Sequence, residues 1–396
     1  MSQMDRRQVL RLLAALGATG LITGCATDLD DDSEVLSDEP VRIGLIIPES
    51  GRNKPIGDDV RRGLELFLSL NDNRLGGHPV ELLIADEGDS VKSALAAVDS
   101  LIKKDVLALT GVVDSAIMLG IRDAVEQAKV PLIGSAASPT ALQGVVYIWR
   151  TSYVDHEFGQ AMGAYVARQV PRGTVAIVAE QYSLGQDVTT GFRQSFGESD
   201  PRIAEQTIWA PYVQSPRPNS YSDQIRDIER LDPEAVFCAF SGPAAVAFIK
   251  QLRAKGYENP IFGPGFLTEG KVLDELGADA LGIRTALNYS ADLRNAANGR
   301  FVTAWSETHD TQPTAYAVSS YDAGQVLDKA IRLAGPRLDR QELLLALGKV
   351  GQIDSPRGAW QFNQPRTPLQ TWYLREVRRD GQLLSNLVIS ELAILG

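Results

Sequence analysis

From residue 41 onward, short apolar runs alternate with segments whose apolar positions recur every three or four residues. The run 41–47 is continuous enough for a strand covered on both faces. The next segment, 57–71, sets Val60, Leu64, Phe67 and Leu68 on one side of a helix. The alternation continues with a strand over 80–85, a helix over 90–103, a strand over 106–110, a helix over 117–127 and a strand over 130–133. It restarts after Thr151-Ser152, with helices over 158–168, 187–196, 221–231 and 244–255. Strands over 174–179, 206–210, 235–240 and 260–262 are interleaved with them. Three later helices, 298–308, 315–333 and 340–347, have no strand series of their own and are expected to complete the first unit. Two successive series of this kind predict an α/β fold of two doubly wound parallel-sheet lobes.

The pattern before residue 41 is different. Arg6, Arg7 and Arg11 give a positive start, and 12–24 is apolar or small. A dozen such residues are too few to span a bilayer, which takes about 20. The stretch closes on Leu21-Ile22-Thr23-Gly24-Cys25, which resembles a bacterial lipobox. The resemblance implies that 1–24 is removed as a signal peptide and that Cys25 is lipidated. The paired arginines within Met4–Arg11 are similar to a twin-arginine export signal, with general secretory export left open. After Cys25, acidic residues from Asp28 to Glu39 run without a basic one, so 25–40 is expected to be a self-repelling tether. That block lacks the glycine turn and distal glutamate of an EF-hand calcium loop.

Charge and chemistry narrow the function. A net charge of −11 argues against nucleic acid and anionic membrane surfaces as general partners. With Cys25 acylated, only Cys238 remains, so no intrachain disulfide forms; its apolar surroundings make it a packed, inert thiol. His78, His156 and His309 are too scattered for a metal cluster. Gly263-Pro264-Gly265 is followed by Thr268 where a dinucleotide loop has its third glycine, and neither a nucleophile elbow nor a phosphate loop is present. Neither catalysis nor a cofactor is expected.

An ordered series of motifs then carries a resemblance. It begins with Ile46-Ile47-Pro48-Glu49-Ser50-Gly51, followed by Gly57 and Gly63. Asn71 with Gly76-Gly77 precedes the strand over 80–85 and Asp86-Glu87. Thr110-Gly111 leads to Asp114-Ser115-Ala116, and Pro131-Leu132-Ile133-Gly134 leads to Ser135-Ala136-Ala137-Ser138-Pro139. From 41 to about 388 the chain resembles the periplasmic solute-binding proteins of the leucine/isoleucine/valine-binding type, which feed ATP-driven importers. The resemblance implies lobe 1 from 41–150 and 289–364, and lobe 2 from 151–288 and 365–396. Three crossovers would join them, near Thr151, Leu287-Asn288 and 365–370.

In open α/β sheets, ligands lie beyond the carboxyl ends of strands, where loops and helix N-termini present free amides. Ser115, Ala136 and Ser138 stand there, and the resemblance implies that they hold a ligand carboxylate; on spacing alone the serines read first as helix N-caps. In lobe 2 the ligand contacts are expected at Tyr182, Leu184, Ser241 and Gly265, and here the chain departs from amino-acid binders. Leu184 and Ser241 occupy positions that are aromatic there, and Gly265 replaces a glutamate that meets the ligand ammonium. A buried ammonium without a counter-charge costs several kcal/mol. Glu180, Asp187 or Glu269 could supply that charge, and the sequence does not rank them. The expected protein is an extracytoplasmic, lipid-anchored monomer that hands a small polar solute to an ABC permease. The alternative is an envelope lipoprotein that uses the same fold to regulate a cell-wall enzyme or to sense a ligand.

Overall fold

The computed structural model describes residues 37–213, 220–364 and 366–396. The export signal, the lipobox with Cys25 and the tether as far as residue 36 lie outside the described residues. Ser37 is pinned to the first lobe: its amide donates to the Gly77 carbonyl at 3.1 Å, and Arg74 donates to its carbonyl at 2.9 Å.

The first series reads β1 (Val41–Ile47), α1 (Lys54–Leu70), β2 (Arg74–Leu75), β3 (His78–Asp86), α2 (Val91–Lys103), β4 (Ala108–Gly111), α3 (Ser115–Ala128), β5 (Leu132–Gly134) and β6 (Ile148–Arg150). The strands form one six-stranded sheet in the order β2-β3-β1-β4-β5-β6, parallel throughout except for the short β2. Local chemistry fixes the helix starts. Ser90 and Ser93 close a capping box on α2, and the Asp114 side chain accepts from the Ala116 and Ile117 amides at the start of α3.

The second series is α4 (Glu157–Gln169), β7 (Val175–Gln181), α5 (Ser183–Phe196), β8 (Ile208–Pro211), α6 (Ser222–Leu231), β9 (Ala235–Ala239), α7 (Gly242–Ala254), β10 (Ile261–Pro264), α8 (Lys271–Leu276) and β11 (Arg284–Leu287). Then come α9 (Ala296–Ser306), α10 (Ala315–Ala334), α11 (Arg340–Leu347), β12 (Gln361–Phe362), β13 (Pro368–Asp380) and β14 (Leu383–Leu395). Strands β7 to β14 make an eight-stranded sheet in the order β12-β13-β11-β10-β9-β7-β8, with β14 paired to β13. Every β9 residue is buried, as a central strand with both faces covered requires. Cys238 lies within β9, buried and unoxidised, and burial raises its thiol well above the ordinary range.

The fold is the expected two-lobed α/β arrangement, but its sheets are mixed rather than parallel. β13 runs antiparallel to β11, β12 and β14. For β14 the reason is local: it is joined to β13 by only two residues, 381 and 382, and a turn that short can connect only antiparallel strands. Gly381, at φ +62°, supplies the left-handed conformation the turn needs.

Helices α10 and α11 pack with β1 and α1. One apolar cluster holds Ile43, Leu45, Val60 and Phe67 together with Val326, Leu327, Leu343 and Trp360, and Phe67 meets Tyr321 edge-on at 5.2 Å. Three stretches of chain cross between the sheets side by side. The Asn288 amide donates to the Ser152 carbonyl and to Gln370 Oε1, both at 2.9 Å, and Gln370 Nε2 donates to the same Ser152 carbonyl at 2.9 Å. One residue from each crossing is thereby tied to the other two. No described helix is long and apolar enough to cross a membrane.

Candidate functional site

The carboxyl ends of both sheets face one cleft, and side chains from the two walls meet across it. On the first wall, β4 ends at Gly111, and the chain turns through Val113 and Asp114 into α3. The buried Glu87 carboxylate accepts the Val113 and Asp114 amides at 2.7 and 2.8 Å. Burial pushes Glu87 up to about 8, against the pull of those two amides. Ser115 then opens α3, and its Oγ donates to Asp155 Oδ2 at 2.7 Å. Asp155 comes from the first crossing and is 1% exposed; its own amide donates to the Ser138 carbonyl at 2.9 Å. Arg150 reaches Ser138 Oγ at 3.4 Å. Ala136 lies buried between the two amides that bond back to the β4 end, those of Ser135 to Gly111 and Ala137 to Val112. The three first-lobe residues expected from the sequence therefore share one small region, with Asp155 among them.

The second wall is organised by a residue from the first. Arg52, in the loop between β1 and α1, reaches across the cleft to Glu180 on β7. Its two terminal nitrogens meet the two carboxylate oxygens at 3.0 and 3.1 Å, with both side chains almost fully buried. The same guanidinium donates to the Val213 carbonyl at 2.9 Å and to the Ser241 carbonyl and hydroxyl at 3.0 Å. Burial opposes the charge on Arg52, but the Glu180 carboxylate outweighs it and holds the guanidinium more firmly protonated than usual. Tyr182 and Tyr212 stack face to face at 4.3 Å, with Arg52 lying 4.6 Å above the Tyr212 ring. Tyr182 Oη lies 3.3 Å from Ser241 Oγ, and Tyr212 Oη donates to Asp114 Oδ2 at 3.3 Å, a second link between the walls.

Tyr182 and Ser241 thus join this cluster, whereas Leu184 and Gly265 do not enter its hydrogen-bond network. Leu184 packs half-buried against the large apolar cluster of the second lobe. Gly265 is a packing glycine: a Cβ there would come within 2.7 Å of the Leu287 side chain, so no larger residue fits without moving Leu287. The three candidate counter-charges are also separated. Glu180 faces Arg52; Glu269 accepts from Arg375 at 2.8 Å and from the Ala315 amide at 2.9 Å; Asp187 accepts from the Thr140 amide at 2.9 Å. Arg52 and Asp155 were not among the sequence-derived site residues. Arg52 carried a usable signal, because it directly follows Ser50-Gly51 beyond the carboxyl end of β1. Among the described residues, no group of three or more His, Cys, Asp or Glu is placed to hold a metal ion.

Comparison with known proteins agrees with this architecture. A profile described as periplasmic binding protein matches residues 40–382. A Leu/Ile/Val-binding protein homolog from Brucella melitensis is 24% identical over 349 residues, covering 86% of this chain and 88% of that protein. A solved solute-binding protein of an ABC transporter from R. palustris, in complex with benzoate, superposes with a TM-score of 0.83 at 28% identity. The match covers 90% of this chain and 97% of that one. A leucine-binding protein from Thermotoga maritima has the same fold, with a TM-score of 0.77 at 22% identity, covering 87% and 99%.

Proposed function

Because the chain belongs to the periplasmic binding protein family and is related to Leu/Ile/Val-binding proteins, we propose that it captures a small aromatic carboxylate between its lobes and delivers it from a lipid anchor at Cys25. The coarser role follows from the family: a solute-binding component of an ABC transporter, not an enzyme, with a membrane permease as the partner the family implies.

The observation that carries the solute class is the second wall. An α-amino acid brings an ammonium that needs a carboxylate. Here Glu180 is engaged by Arg52 on both oxygens, Glu269 by Arg375 and an amide, Asp187 by the Thr140 amide and Asp155 by the Ser115 hydroxyl, and a side chain at Gly265 would have to displace Leu287. What the wall does present is a stacked tyrosine pair beneath a cation, a surface suited to a flat aromatic ring. Ser115, Ala136 and Ser138 on the other wall suit the acid end, with lobe closure burying the solute. The benzoate complex of the R. palustris protein supports the same class.

A thermal-shift titration tests this reading. Benzoate at a hundred times its Kd stabilises by ~2.7 kcal/mol and raises Tm by a few degrees, whereas leucine leaves Tm unchanged. A rise with leucine and none with benzoate would overturn the assignment. The anchor is tested separately: Cys25→Ser releases the protein from the membrane fraction of the expressing cell, and retention of the variant there refutes lipidation.

A further inference from the structure

We infer that the solute is captured together with a proton, a carboxylate seated on Ser115 and Ser138 sharing that proton with Asp155. This rests on the aromatic-carboxylate reading above and adds a requirement to it. The argument is geometric. The Ser115 hydroxyl already donates to Asp155 Oδ2 at 2.7 Å, and the Asp155 amide holds the Ser138 carbonyl at 2.9 Å. Any acid group that reaches these two serines comes to rest beside a second carboxylate that is 1% exposed. Two like charges side by side and away from water do not both stay ionised.

The groups around Asp155 do not remove the conflict. Arg150, from β6, which also reaches Ser138 Oγ at 3.4 Å, is one cation set against two carboxylates; it favours the charged form of Asp155, whereas Asp187, from α5, opposes it. Glu157 at the start of α4, Tyr153 in the same crossing and Tyr316 on α10 also couple to it, and none of them is a cation. In the protein alone, burial first and Asp187 next push Asp155 up to about 7, against the Ser115 hydrogen bond. A bound carboxylate raises it further. The step balances simply: the solute enters as an anion, one proton comes from solvent, and a single O–H bond forms between two facing carboxyl groups. Above about pH 7 the free protein has lost that proton and must regain it to bind.

Titration calorimetry of the whole chain with sodium benzoate, at pH 8 in Tris and in phosphate, reads the proton directly from the difference in heats. The expected result is an uptake approaching one proton per benzoate, with affinity falling about tenfold for each pH unit above neutrality. Asp155→Asn keeps an acceptor for Ser115 and should abolish both the uptake and the pH dependence. Benzoate binding without proton uptake, or uptake unchanged in Asp155→Asn, overturns this inference and leaves the aromatic-carboxylate reading standing. Absence of any benzoate heat overturns that reading, and this one with it.

Discussion

Glu180 and Asp155 are both carboxylates sealed from water at the cleft, and they are stabilised in opposite ways. Glu180 meets a guanidinium from the other wall on both oxygens, together with the amide of Ser241 at 3.2 Å. Asp155 meets a hydroxyl at 2.7 Å, and burial leaves it titrating near neutrality. The first arrangement exists only while the lobes are together, because its cation and anion belong to different sheets. The second is built within one wall and its hinge strand. Closure and solute chemistry are thus assigned to different acids. An ion pair makes a good clasp because opening restores water to both partners, and a carboxylate that holds its proton up to neutrality makes a good reader of what arrives beside it.

The contrast is broken most severely at the clasp. Breaking a buried pair costs about 3–5 kcal/mol when the surviving charge stays buried. In Glu180→Ala, however, Arg52 can return to water by opening the cleft. The expected loss is therefore in closure: benzoate affinity falls by about tenfold to a hundredfold and the radius of gyration in solution rises. A variant that remains as compact as wild type, with unchanged affinity, shows that the pair does not hold the lobes. A smaller effect sharpens the other side. Ser115→Ala removes the hydroxyl from Asp155 and costs about 1–3 kcal/mol at pH 8, read by urea unfolding. The sign follows from the raised Asp155: its contribution to stability is full below the unfolded value near 4 and is lost as pH rises through about 7. Without the serine that midpoint moves higher still. An unfolding profile between pH 5 and 8 that is identical for Ser115→Ala and wild type refutes the assigned hydrogen bond.

How much of this was legible in the sequence depended on the distance between partners. β1 and α11 match their expected limits at 41–47 and 340–347, because apolar periodicity and short polar breaks fix such elements locally. The hairpin of β13 and β14 is not among the expected elements, although Asp380-Gly381 between two apolar-rich runs is a hairpin signal. Ser115, Ala136 and Ser138 could be chosen as residues after strand ends, but Arg52 finds Glu180 across 128 positions of chain. Glu180 stood among three candidate acids, and nothing local separates a carboxylate that meets a guanidinium from one that caps an amide. Asp155 is equally silent in the sequence: its meaning comes from Ser115, forty residues earlier.

The late return of α10 and α11 to the first sheet also has a consequence for biosynthesis. The cluster that seals β1 and α1 includes Val326, Leu343 and Trp360, while β11 waits for β13 to cover its outer side. The first sheet lacks its full cover until Trp360 has been made, and the second lacks its edge until β13 and β14 have been made. A ribosome reading from the first codon therefore exposes long apolar strands before their neighbours exist, and the finished chain must close loops of nearly 300 residues. Such non-local closure slows folding and leaves the nascent chain dependent on whatever shields it during synthesis.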